Sequence, residues 1–125
     1  MPGPLLALLL AAPGPLHESA FHLDRPGEVV ATVTAGCDGC DWAVHGHEAA
    51  VLSLAVDGRY SQHLVLFRGE SAGYPVLLGA LGPGEHRLCL TLDARRSPPA
   101  VGPVRVAGVA VSAAGAGDPD HEALA

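Results

Sequence analysis

The residues with most chemical potential stand together: Cys37-Asp38-Gly39-Cys40-Asp41-Trp42-Ala43-Val44-His45-Gly46-His47-Glu48. Two thiols and two imidazoles within eleven residues could supply four zinc ligands. A Cys pair with two residues between suits a zinc knuckle, because the turn aims both sulfurs at one point. Histidines in zinc fingers are spaced three to five apart, so His45 and His47 fit that pattern less well. The competing chemistry is a short disulfide between Cys37 and Cys40 that pins the loop, the expected state in an oxidising compartment. The two are mutually exclusive, because a disulfide removes the thiolates that zinc needs. We expect the disulfide or inert thiols, with no cofactor, and keep zinc on Cys37, Cys40, His45 and His47 as the alternative. Redox catalysis would need a thiolate at a helix N-terminus, and no βαβ pattern provides one. Cys89 is the odd cysteine and reads as a small packing residue in a strand.

Three aromatic residues are candidates for ligand binding: Trp42 in the loop, and Tyr60 and Tyr74 at strand starts. A sugar ring can stack its C–H edge on an exposed aromatic face. The bland alternative is that Trp42 plugs one end of the fold and the tyrosines cap it. Ser53, Ser61 and His63 lie near one another without the order of a catalytic triad. There is no nucleophile elbow, phosphate loop or paired metalloprotease histidine, so the chain is read as non-catalytic.

Strands must position these residues. Glu28–Ala35 alternates with β-branched enrichment, as a half-buried strand does. Ala49–Asp57 and Tyr60–Phe67 flank Asp57-Gly58, a strong hairpin signal, with Leu52, Leu54, Val56, Leu64 and Leu66 inward. Tyr74–Leu81 and Glu85–Asp93 follow, separated by Gly82-Pro83-Gly84; Leu88, Leu90 and Leu92 share a face. A Pro- and Arg-rich loop, 94–103, precedes Val104–Ser112, whose two apolar faces suggest a central strand. The pattern predicts an all-β fold, an antiparallel β-sandwich of jelly-roll or Ig-like type with about six to eight strands. The strands are expected to pair as local hairpins, with loop 94–103 crossing between sheets.

At 125 residues there is room for one domain. Residues 1–20 are read as a signal peptide, from the apolar run Leu5–Ala12. That run is too short to span a bilayer, and its flank MPGP lacks a basic residue. Residues 21–112 form the sandwich, and 113–125 a flexible tail or the start of a linker to a missing region. The expected localisation is secreted or periplasmic. Hydrophobic residues make up 49% of the chain and charged residues 16%, which excludes a disordered protein. The net charge of −6, with no lysine, excludes a phosphate-neutralising surface, so no nucleic-acid partner is expected.

The stretch Tyr74–Leu88, with Val56-Asp57-Gly58-Arg59-Tyr60 upstream, resembles accessory β-sandwich domains of bacterial exported proteins. Carbohydrate-binding modules with a galactose-binding-like jelly roll pair such a strand, turn and strand. The resemblance implies an accessory or binding module within a larger chain, with a glycan or a protein as its partner. It carries no specific binding residue across.

Overall fold

The computed structural model describes residues 14–114. Seven antiparallel strands form two sheets: β1 (His17–Leu23), β2 (Gly27–Cys37), β3 (Ala50–Val56), β4 (Arg59–Leu66), β5 (Ala72–Leu81), β6 (Gly84–Leu92) and β7 (Val104–Ala114). The four-stranded sheet runs β1-β6-β3-β4 and the three-stranded sheet β5-β2-β7. The all-β sandwich expected from the alternation is the fold observed. Among the described residues no helix is long and apolar enough to cross a membrane. The run Leu5–Ala12 and the tail beyond 114 lie outside the described residues.

The alternation decides what is buried. Leu52 and Leu54 of β3, Leu66 of β4, and Leu88 and Leu90 of β6 are almost fully buried, and share one core with Ala31, Val33 and Ala35 of β2. Burying each leucine contributes roughly 1.5–3 kcal/mol. Leu64 is also buried, while Val56 and Leu92 pack at the margin of this core. Asp57 and Gly58 have φ of 53° and 77°. Both central residues of the β3–β4 turn are thus left-handed, the geometry of a two-residue hairpin turn.

Three expectations are corrected. The first strand is β1, whose alternation His17, Ser19, Phe21, Leu23 faces inward while Glu18, Ala20 and His22 face out. It has no Val, Ile or Thr, so β-propensity did not mark it. It begins at His17, upstream of residue 21. Second, only β3–β4 is a local hairpin; the other connections pass between sheets, loop 93–103 among them. Third, β7 is an edge strand rather than a central one. Val104, Val106, Val109 and Val111 pack on the core, whereas the second apolar face is Ala107 and Ala110, both exposed. Small residues there made a solvent face look buried.

Candidate functional site

The loop from Asp38 to Glu48 leaves β2 at the edge of the core. Cys37 and Cys40 are joined by a disulfide, and both are buried. The Asp38 N–H donates to Pro103 O at 3.0 Å, and Asp38 O accepts from the Gly102 N–H at 2.6 Å. Arg105 of β7 donates from Nε and Nη2 to Asp38 Oδ1, at 3.1 and 2.8 Å, and from Nη2 to Gly69 O at 3.0 Å. One guanidinium therefore ties the loop, β7 and the turn after β4 together, the planar fork suiting a carboxylate. Beyond Cys40 the loop closes on itself: Asp41 N–H donates to His47 O at 2.8 Å, and His47 N–H to Val44 O at 3.0 Å.

In this arrangement the two cysteines of the zinc alternative are bonded to each other. Both sulfurs are spent in the disulfide, so Cys37 and Cys40 offer no thiolate. His45 is fully exposed, with Nδ1 3.6 Å from Glu48 Oε2, and His47 is drawn into the loop only through its backbone. Among the described residues no group of three or more His, Cys, Asp and Glu side chains converges as metal ligands do.

The loop carries Trp42 outward, at 66% exposed, rather than plugging the sandwich. Its ring meets Phe67, the residue after β4, edge-on at 6.5 Å between centroids. Phe67 in turn stands perpendicular on Tyr74 at 5.7 Å, and the Arg68 guanidinium lies 5.7 Å from the Phe67 ring centre. Trp42, Val65 and Phe67 line one shallow apolar concavity. Tyr74 is a correction: it is 7% exposed and faces the core. Its hydroxyl accepts the Phe67 N–H at 3.3 Å. It supports the shelf from beneath and offers no face to a ligand.

Tyr60 is 62% exposed but stands at the other end of β4. Tyr74 is thus absent from the exposed surface, and Trp42 and Tyr60 stand toward opposite ends of β4. The Tyr60 hydroxyl is 2.8 Å from His63 Nδ1, and His63 Nε2 is 3.1 Å from Asp93 Oδ2. The Arg96 guanidinium bonds the same Asp93 oxygen at 2.8 Å, and this bond is the main reason the Asp93 carboxyl is held below the usual carboxylate range. Ser53 is opposite His63 in the β3–β4 register. Because both His63 nitrogens already have partners, the ring has none left to act as base toward Ser53. Phe67, Val65, His63 and Asp93 were not foreseen as site residues. The inward placement of Leu64 and Leu66 was the available signal for the first three, since their neighbours at odd positions then face outward.

No protein-family profile matches the chain, and no curated protein matches it in sequence. Solved structures share the fold. The C-terminal domain of EclA, described as a sugar-binding protein, superposes with a TM-score of 0.53 at 18% identity, covering 80% of this chain and 68% of that one. The CBM36-1 domain of a multidomain xylanase from the hindgut metagenome of Trinervitermes trinervoides gives 0.58 at 14% identity, covering 82% and 75%. A ruminal GH26 endo-beta-1,4-mannanase gives 0.55 at 12% identity; 81% of this chain corresponds to 18% of that enzyme. This chain therefore shares its sandwich fold with these domains.

Proposed function

We propose that this chain is a non-catalytic accessory module of an exported protein and that it binds glycan through the shelf of Trp42, Phe67 and Val65. The observation that carries the reading is the outward Trp42, held edge-on to Phe67 by a loop that is itself fixed by a disulfide and by Arg105. A large ring kept rigid in solvent costs core burial and gains a pre-organised contact. Sugar rings offer apolar C–H faces that suit such a surface. The sugar-binding neighbours share this fold and so support a sugar as the ligand. The Cys37–Cys40 disulfide supports export, since disulfides persist in oxidising compartments.

Affinity electrophoresis on soluble xylan, mannan and galactan tests the reading. Retardation by at least one polysaccharide is expected. Trp42→Ala should weaken it by at least about thirtyfold, the ~2 kcal/mol typical of a buried aromatic anchor at an interface. An unchanged far-UV spectrum would show that the variant is folded. Absence of retardation on every polysaccharide would turn the shelf into a protein-binding surface.

A further inference from the structure

The outward face of β4 continues past the shelf. With Leu64 and Leu66 buried, His63 and Val65 face out. The register shifts between Leu54 and Ala55, so Leu54 is opposite Gln62 while Ala55 is opposite Tyr60, and Ser61 is left over. Such a bulge reverses the alternation once. It places Tyr60 and His63, three apart, on the same face, where their rings lie 5.1 Å apart. Trp42, Phe67, Val65, His63 and Tyr60 thus form a row along an edge strand. At about 3.4 Å per residue the stretch from Tyr60 to Phe67 spans at most roughly 24 Å.

The Tyr60 end is built as well as exposed. Asp93 Oδ1 accepts the backbone N–H groups of Arg95 and Arg96 at 3.1 and 3.2 Å. Its Oδ2 takes Arg96 Nη1 and faces His63 Nε2. A carboxylate only accepts, so His63 Nε2 carries a proton, and in the neutral ring Nδ1 accepts the Tyr60 O–H. The phenol is thereby fixed in direction, with its oxygen lone pairs left toward solvent. One end of the row offers apolar ring faces. The other offers a ring with an oriented acceptor; Ser53, opposite its partner His63, is paired with Thr91 across β3 and β6.

We infer that Tyr60, positioned by His63 and Asp93, is a second contact subsite continuous with the Trp42–Phe67 shelf. The ligand is then a linear, uncharged oligosaccharide chain lying along β4, bound through several internal units rather than by a terminal sugar. A sugar chain matches the row in chemistry, since it presents apolar ring faces and hydroxyl donors at repeated intervals. This inference rests on the glycan-binding reading of the shelf.

Isothermal titration with xylo-, manno- and galacto-oligosaccharides of increasing length, from the disaccharide upward, tests it. Affinity for the series that binds should rise with length and then level off once the chain spans the row. Tyr60→Ala should remove the gain for long chains, about tenfold, and leave the short ones unchanged. Tyr60→Phe, which keeps the ring, should lose about fivefold, the worth of one hydrogen bond. Length-independent affinity, or a Tyr60→Ala variant that binds long chains as the parent does, would overturn the second subsite while leaving the shelf intact. Trp42→Ala binding every length as the parent does would instead overturn the shelf. Binding of an extended peptide with no binding of any oligosaccharide would overturn both, in favour of strand addition at the open β4 edge.

Discussion

Gly102→Ala is the substitution whose cost is most directly set by geometry. A Cβ at Gly102 would lie 2.6 Å from Asp38 O, 3.0 Å from Asp38 Cβ and 3.2 Å from Asp38 C. The first distance cannot persist, so either Asp38 or the 94–103 loop must move. Asp38 is poorly able to do so. It follows a disulfide-bonded residue, its N–H is bonded to Pro103 O, and its carboxylate is held by the Arg105 fork. Moving the loop instead breaks the Gly102 N–H···O=C bond to Asp38. Overpacking costs about 1–3 kcal/mol, and a lost hydrogen bond adds about 0.5–1.5 kcal/mol. The combined loss is roughly 2–4 kcal/mol, a large share of the ~5–15 kcal/mol available to a domain. The thermal midpoint should fall by roughly 10–25 °C, read by calorimetry and by urea unfolding. Gly27→Ala is the control, since a Cβ there meets nothing within 4 Å. It should shift stability by no more than about 0.5 kcal/mol. A Gly102→Ala protein as stable as that control would refute the argument that Asp38 is fixed.

Other outcomes follow from the same contacts. His86 Nδ1 faces the Asp57 carboxylate at 2.6 Å and Nε2 faces Gly82 O at 2.7 Å, so both ring nitrogens meet acceptors and the imidazolium is favoured. The Asp57 hydrogen bond chiefly raises the His86 pKa above its ordinary 6.5, and the His86 hydrogen bond chiefly lowers that of Asp57 below its ordinary 3.8. A raised histidine stabilises fully below 6.5 and loses that contribution as pH climbs through the raised value; a lowered carboxylate stabilises above 3.8 and loses it on acidification. The urea midpoint should therefore be highest between about pH 4 and 6.5 and decline as the pH climbs above that range. His86→Gln should flatten the alkaline side, and an unchanged slope would count against the pair. Replacing Cys37 and Cys40 together by serine should cost about 2 kcal/mol, the chain-entropy value for so short a loop. It should also weaken glycan binding by loosening Trp42, and equal affinity in titrations of parent and variant would contradict that coupling.

The core was legible because Leu52, Leu54, Leu64, Leu66, Leu88 and Leu90 repeat with a period of two, and that period dictates which side of a sheet is buried. Pairing was less legible. Register and neighbour choice depend on contacts far apart in sequence, such as β1 with β6, which joins His17 to Leu90. The polar, histidine-bearing β1 is strand only because β6 offers it an edge, Phe21 packs on the core and Leu23 is buried. Nothing local in HESAFHL declares this. The two faces of β7 misled for the opposite reason, since Ala and Gly count as apolar whether or not anything covers them.

For the site, residue type was legible and residue direction was not. Trp42, Tyr60 and Tyr74 are all aromatic, yet one stands on a loop, one on an edge-strand face and one in the core. Tyr74 starts a strand, as expected, but pairs with Val33 in the middle strand of its sheet and so shares that residue's inward face. Phe67 follows β4 at an odd position, where the alternation set by Leu64 and Leu66 turns it outward. Tyr74 fills the space below it, with a ring perpendicular to its own and a hydroxyl on its backbone N–H. The burial of one aromatic thus holds the next at the surface, and Trp42 completes the row from a loop whose course is set by Cys40 and Asp38. The ligand surface is a consequence of which aromatic the core accepts, and that choice is made by strand pairing rather than by any local motif.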